Sequence, residues 1–208
     1  MNFNFDILEI LVIGIALLYS IISHELGHGY VAYLMGDNTA KEQGRLSLNP
    51  IRHIDPIGLL SMIIFKFGWA KAVPININNF KYKRLGLFLV SIAGICVNLL
   101  SALIAAILLL AFYDPFNYSY INIFLEYVIL YGVILASFNI MPIPPLDGSK
   151  IIVSFLPEKL SKIILQIEKY GMIILMILLV TDILDGPIIY VRELFLDAIF
   201  NIAFMLVG

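Results

Sequence analysis

Hydrophobic positions along this chain fall into long runs, and polar positions gather between them. Residues 7 to 35 are apolar with few interruptions, as are 85 to 112, "LGLFLVSIAGICVNLLSALIAAILLLAF", and 121 to 141. A bilayer core about 30 Å thick needs roughly 20 apolar residues in helical form, so each run predicts a membrane-spanning helix. The third ends at "MPIPP", whose three prolines cannot continue a helix. Residues 163 to 184 predict a fourth span, interrupted near its start by Glu168 and Lys169. The final run, 188 to 207, contains Arg192, Glu193 and Asp197. It is compatible with a span, an interfacial helix or a helix packed inside a bundle.

Residues 36 to 84 differ in character. Asn49-Pro50, Asp55-Pro56-Ile57-Gly58 and Pro74 are turn chemistry. "RLSLN" (45 to 49) and "AVPINI" (72 to 77) alternate enough to predict short strands. "IGLLSMIIF" is too short to span and suits a re-entrant segment buried against protein. The expected fold is an all-α polytopic membrane protein, a helical bundle of about 4 to 6 transmembrane segments. A short re-entrant and β-strand region lies between its first two clear spans. The expected organisation is one membrane-embedded domain over 1 to 208, with core motifs in 19 to 155 and accessory C-terminal helices in 160 to 207.

Composition agrees. The chain is 61% hydrophobic and 13% charged, against about a quarter charged in soluble domains, so it is not built to face water on all sides. No basic cluster interleaved with aromatics points to nucleic acid. The start, "MNFNFDILEI", lacks the Lys or Arg of a cleaved signal peptide, so the first run reads as a retained span. Cys96, in an apolar run, reads as a small core residue. Charge distribution then orients the spans. Segment 36 to 84 carries Lys41, Arg45, Arg52, Lys66, Lys71, Lys81, Lys83 and Arg84, and segment 142 to 169 carries Lys150, Lys159, Lys162 and Lys169. The loop 113 to 120, "YDPFNYSY", has no basic residue. By the positive-inside rule the two basic segments are cytoplasmic, in a multi-pass protein of the cell membrane.

The chemistry sits in "LYSIISHELGHGYVAYLMG". On a helix His24 and His28, at i and i+4, lie on one face and can direct imidazole nitrogens at one ion. Glu25 stands where a carboxylate can reach a metal-bound water and take its proton. A catalytic zinc wants a third protein ligand and an open position. Asp147, in "FNIMPIPPLDGSKI", is the leading candidate because the third span returns it to the cytoplasmic side. His24 lies roughly 17 residues into a helix entering from outside, about 26 Å at 1.5 Å per residue, so both arrive near the same side.

The motifs "HELGH", "GRLSLNPIRHIDPIG" and "NIMPIPPLDGSKI", in this order over residues 19 to 155, resemble the site-2 protease family of intramembrane zinc metalloproteases. The resemblance implies one catalytic Zn2+ on His24, His28 and Asp147, with Glu25 as catalytic base. It implies a substrate peptide bond in or beside another protein's transmembrane segment, with the lipid bilayer as surroundings. The family's asparagine in the following span is matched by Asn98 in "AGICVNLL", although this chain has "AGIC" where many members have "AGP". Without a visible sensor or tethering domain, it would be a minimal, core-only member.

Weaker candidates stand beside these. The Asn98 amide could contact a substrate carbonyl or an oxyanion, or make a helix–helix hydrogen bond. Asn139 has the same two readings, with the helix–helix bond ahead. For His53, the loop-organising reading leads over a ligand role. Strands near 45 to 49 and 72 to 77 could pair with an extended substrate, or form a lid. Two other functions remain open. One is an HExxH/ExxxD-type membrane zinc protease whose third ligand comes from "ELFLD", Glu193 to Asp197. The other is a non-catalytic membrane protein that binds client helices without cutting them. A transporter fits less well, because the polar residues cluster at one depth.

Overall fold

The first apolar run becomes α1, Ile7–Leu34, started by Asp6, whose carboxylate accepts from Leu8 N at 2.9 Å. The helix stops at Met35, and Gly36 turns the chain at φ +104°, a left-handed conformation that glycine adopts without strain. The computed structural model describes residues 6–65, 69–112 and 119–208. After α1 come α2, Thr39–Glu42; α3, Pro56–Phe65; α4, Lys83–Ala111; and α5, Tyr120–Asn139. They are followed by α6, Asp147–Phe155; α7, Glu158–Ile167; α8, Gly171–Val180; and α9, Asp185–Val207. Among the described residues, four stretches are long and apolar enough to cross a membrane: Ile7–Leu34, Lys83–Ala111, Tyr120–Asn139 and Glu158–Val180. The last is α7 and α8 joined by a 3-10 turn at Glu168–Tyr170, where the sequence placed the interruption.

Helix α4 is central and packs against α1, α5, α6 and α9. Lipid removes the hydrophobic drive between helices, so close packing of small residues has to hold them. The main core supplies these: Ala16 of α1 and Ala102, Ala105 and Ala106 of α4 meet Val128, Ile129 and Val133 of α5 and Ile199 and Ala203 of α9. A Cβ on Gly27 of α1 would lie 3.0 Å from Val97 Cγ2 and 3.1 Å from Ala93 O, so α1 and α4 approach at backbone distance beside the histidines. The outward side of α4 shows Leu100, Ile104 and Phe112, an apolar exterior suited to lipid.

Three expectations change. No strand forms among the described residues; 45 to 49 are coil with a bend at Leu46, and 72 to 76 are coil running into a 3-10 turn at Ile77–Asn79, with an isolated antiparallel bridge between Ile54 and Ala70. The physical reason lies in the hydrogen bonds. Arg45 Nη2 donates to the carbonyls of Lys71 and Ala72 at 2.7 and 3.2 Å, while Val73 N donates to Glu25 and Asn76 N to Asp37. Side chains have taken the groups a ladder would use. The nine-residue apolar run becomes the short helix α3 and gives no support to a re-entrant segment. Cys96 is exposed on α4 rather than in the core. Helix α9, which covers 188 to 207, lies against α4 and α5 with Ile199 and Ala203 buried and the rest of its residues partly or fully exposed. Loop residues 113 to 118 lie outside the described residues.

Candidate metal centre

The i, i+4 spacing on α1 brings His24 and His28 together with Nε2 atoms 3.0 Å apart and ring planes at 89°. Asp147, the first residue of α6, closes the group: its Oδ2 is 3.2 Å from His24 Nε2 and 3.1 Å from His28 Nε2. The proline-rich turn ends α5 and delivers α6 beside α4. Gly148 makes this approach possible, because a Cβ there would strike the carbonyl oxygens of Ile140 and Met141. All three residues are buried.

These residues fit a metal ion. Asp147 Oδ2 is buried without a hydrogen-bond partner among the described residues, which is costly unless something else satisfies it. Tetrahedral ligands at 2.0 to 2.1 Å from zinc stand about 3.3 Å from one another. The three observed separations, 3.0, 3.1 and 3.2 Å, come close to that edge length. Two imidazoles and one carboxylate are also the donor set of a catalytic rather than a structural zinc, three protein ligands leaving a position open.

Behind the histidines runs a stripe of α4, residues 90, 94 and 98, one turn apart. His28 Nδ1 lies 2.7 Å from the Val90 carbonyl, so Nδ1–H donates there and Nε2 keeps its lone pair for the centre. Gly94 leaves room for both rings, since a Cβ would be 2.6 Å from His24 Cε1 and from His28 Nε2. Asn98 Nδ2 lies 3.2 Å from His24 Nδ1. The sequence left Asn98 two readings, an oxyanion or substrate contact and a helix–helix hydrogen bond. The structure sets it behind His24, fully buried and away from the cavity wall. Val90 and Gly94 went unnoticed. The spacing Gly94-x-x-x-Asn98 inside a span was a usable signal; Val90 acts through its backbone and gave none.

A cavity of about 610 Å³ opens in front of the three ligand candidates and also holds Glu25, Asn139, Lys150 and Glu168. Glu25 Oε2 accepts from Val73 N at 2.7 Å, which ties the base candidate to the coil segment over the cavity. Lys150 and Glu168 pair at 3.5 Å across its edge. Asn139 lines the cavity while donating to Leu135 O at 3.0 Å within its own helix. His53 is buried in the loop, with Nε2 2.7 Å from the Ser47 carbonyl, and stands outside the ligand group. Glu193 and Asp197 are exposed on α9 and do not join the histidines, which removes the ExxxD alternative.

Comparison with known proteins points the same way. "Putative zinc metalloprotease YwhC" of Bacillus subtilis is 42% identical over 176 residues, 81% of this chain and 80% of the relative. "Putative zinc metalloprotease Rip2" of Mycolicibacterium smegmatis is 30% identical over 81% of this chain and 66% of its own length. Rip2 of Mycobacterium tuberculosis is 26% identical over the same shares. No family model matches the chain. No solved structure matches it either. With relatives of that name, helices long and apolar enough to cross a membrane and a His24, His28 and Asp147 group able to hold a metal ion, the chain belongs to the site-2 protease family of zinc metalloproteases.

Proposed function

We propose that this membrane metalloprotease hydrolyses peptide bonds within or beside the transmembrane segments of other membrane proteins. In this reading His24, His28 and Asp147 hold the zinc and Glu25 is the general base. The observation that carries it is the convergence of three buried donor atoms within 4.8 Å, on the wall of a cavity shared with Glu25, near the end of a 28-residue apolar helix. A site at that depth suits a substrate that is itself held in the bilayer.

Bound zinc supplies Lewis-acid polarisation of the scissile carbonyl and of water. Glu25 takes a proton from the attacking water and returns it to the leaving amine nitrogen. The Val73 N–H holds Oε2 and so restrains the carboxylate at the cavity lining. Apolar walls from Ile21, Leu87, Leu135 and Phe138 exclude bulk solvent and strengthen the charges inside. A helical substrate hides its carbonyls in hydrogen bonds, so it unwinds locally before cleavage. The excess of Lys and Arg in 36 to 84 supports a cytoplasmic placement of the site. The whole chain then acts as a single membrane-embedded protease domain.

The test is cleavage by reconstituted protein of a panel of single-span clients tagged at both ends. Wild type is expected to cut at least one client in or next to its span. Glu25→Gln is expected to keep zinc and client capture while losing cleavage. Capture without cleavage by zinc-loaded wild type across the panel would replace the protease with a helix-binding protein.

A further inference from the structure

His28 and His24 are held from behind by different means. His28 has the Val90 backbone carbonyl at 2.7 Å, an acceptor that fixes Nδ1–H and leaves Nε2 free to ligate. His24 has a side chain instead, the amide of Asn98, two turns further along α4 and 3.2 Å from Nδ1. A neutral imidazole carries one N–H and one lone pair. If Nε2 of His24 is to face a metal ion, Nδ1 carries the proton, and its partner has to be an acceptor.

An amide meets that need through one of its two ends. Asn98 lies with Nδ2 toward His24, and its Oδ1 is fully buried with no hydrogen-bond partner among the described residues. The two ends are nearly equal in size, so a half-turn about χ2 exchanges them without altering the packing. That rotation turns Nδ2 to the position the oxygen leaves, and its gain is the acceptor that Nδ1–H of a ligating His24 requires. It makes the two sides equivalent: Val90 O behind His28, Asn98 Oδ1 behind His24, and Gly94 between them clearing space for both rings. We infer that Asn98 is a positioning residue for the metal centre, presenting its side-chain carbonyl to His24 Nδ1–H and so fixing the tautomer and ring orientation that ligation requires. The inference rests on the assignment of His24 as a ligand.

The test measures zinc affinity by chelator competition, together with the rise in unfolding temperature that zinc produces, for wild type and Asn98 variants in mild detergent. Asn98→Leu and the smaller Asn98→Ala remove the acceptor and are expected to weaken zinc about 10- to 100-fold. They should shrink the zinc-induced rise while leaving the chelated protein's unfolding temperature much less changed. Asn98→Asp keeps an acceptor but has no N–H to donate, and it is expected to bind zinc within a few-fold of wild type. Cobalt-substituted Asn98→Asp should retain the tetrahedral absorption of wild type. Wild-type affinity in both apolar variants would overturn the inference while leaving His24 as a ligand. So would an Asp variant as weak as Leu, because that would make the amide N–H the group that matters. Unfolding temperatures lowered equally with and without zinc would reduce Asn98 to a structural residue. Wild type that binds no zinc would overturn the ligand assignment and the inference together.

Discussion

Adding one methyl group at Gly94 should separate metal binding from folding. The new Cβ would stand 2.6 Å from His24 Cε1, 2.6 Å from His28 Nε2 and 2.7 Å from His28 Cε1. Ordinary contact needs about 3.5 Å, so the rings must retreat by roughly 1 Å. Metal–ligand distances tolerate only about 0.2 Å. Without metal the imidazoles can swing aside, and alanine regains up to about 1 kcal/mol of helix propensity over glycine. With metal the rings must press back against the methyl, at an overpacking cost of about 1 to 3 kcal/mol. That cost appears as zinc binding weakened about 5- to 150-fold. The assay is chelator competition on Gly94→Ala beside Gly14→Ala, a control whose Cβ would meet nothing within 4 Å. Wild-type zinc affinity in a helical Gly94→Ala protein would refute the reasoning, because the rings could then not lie where they are described.

Three other perturbations have defined outcomes. In Gly148→Ala the methyl meets the carbonyls of Ile140 and Met141, backbone atoms that cannot swing away. Thermal unfolding should show a loss of about 3 kcal/mol, with zinc lost as Asp147 is displaced. Asp37 is fully buried and accepts from Thr39 N, Thr39 Oγ1, Asn76 N and Asn79 Nδ2. Burial raises its carboxyl, but these hydrogen bonds outweigh burial and leave it below the ordinary 3.8. A lowered folded value means that its stabilisation is complete above 3.8 and is lost as pH falls through the folded value. Asp37→Asn should therefore cost about 1 to 3 kcal/mol at neutral pH, and chemical unfolding across pH should show the gap to wild type closing in acid. Arg45→Met frees the carbonyls of Lys71 and Ala72, and hydrogen exchange in 70 to 76 should quicken about tenfold or more while α4 and α5 stay protected.

Much of the fold was legible because membrane spans announce themselves by length and apolarity alone. The runs at 7, 85 and 121 gave α1, α4 and α5 with ends displaced by a residue or two, and Glu168-Lys169 marked a real break. The histidine pair and Asp147 were legible because helical periodicity and chain topology are both strong constraints, and the structure sets them together. The strands failed for a different reason. Alternation in "RLSLN" and "AVPINI" describes which side chains point in, but Arg45, Glu25 and Asp37 come from elsewhere in the chain and take the backbone partners a ladder needs. Gly94 was illegible as chemistry because its contribution is an absent side chain, visible only once two rings from α1 are seen against it. Asn98 was noticed for its polarity, but its side of the histidine could not be read from one helix.

The most direct measurement of the centre is zinc per polypeptide in wild type, Asp147→Ala and Glu193→Ala, purified in mild detergent. About one zinc in wild type and in Glu193→Ala, with a clear loss in Asp147→Ala, is the expected result for a three-ligand catalytic site. Zinc retained without Asp147, or absent from well-folded wild type, would contradict a metal centre built from His24, His28 and Asp147.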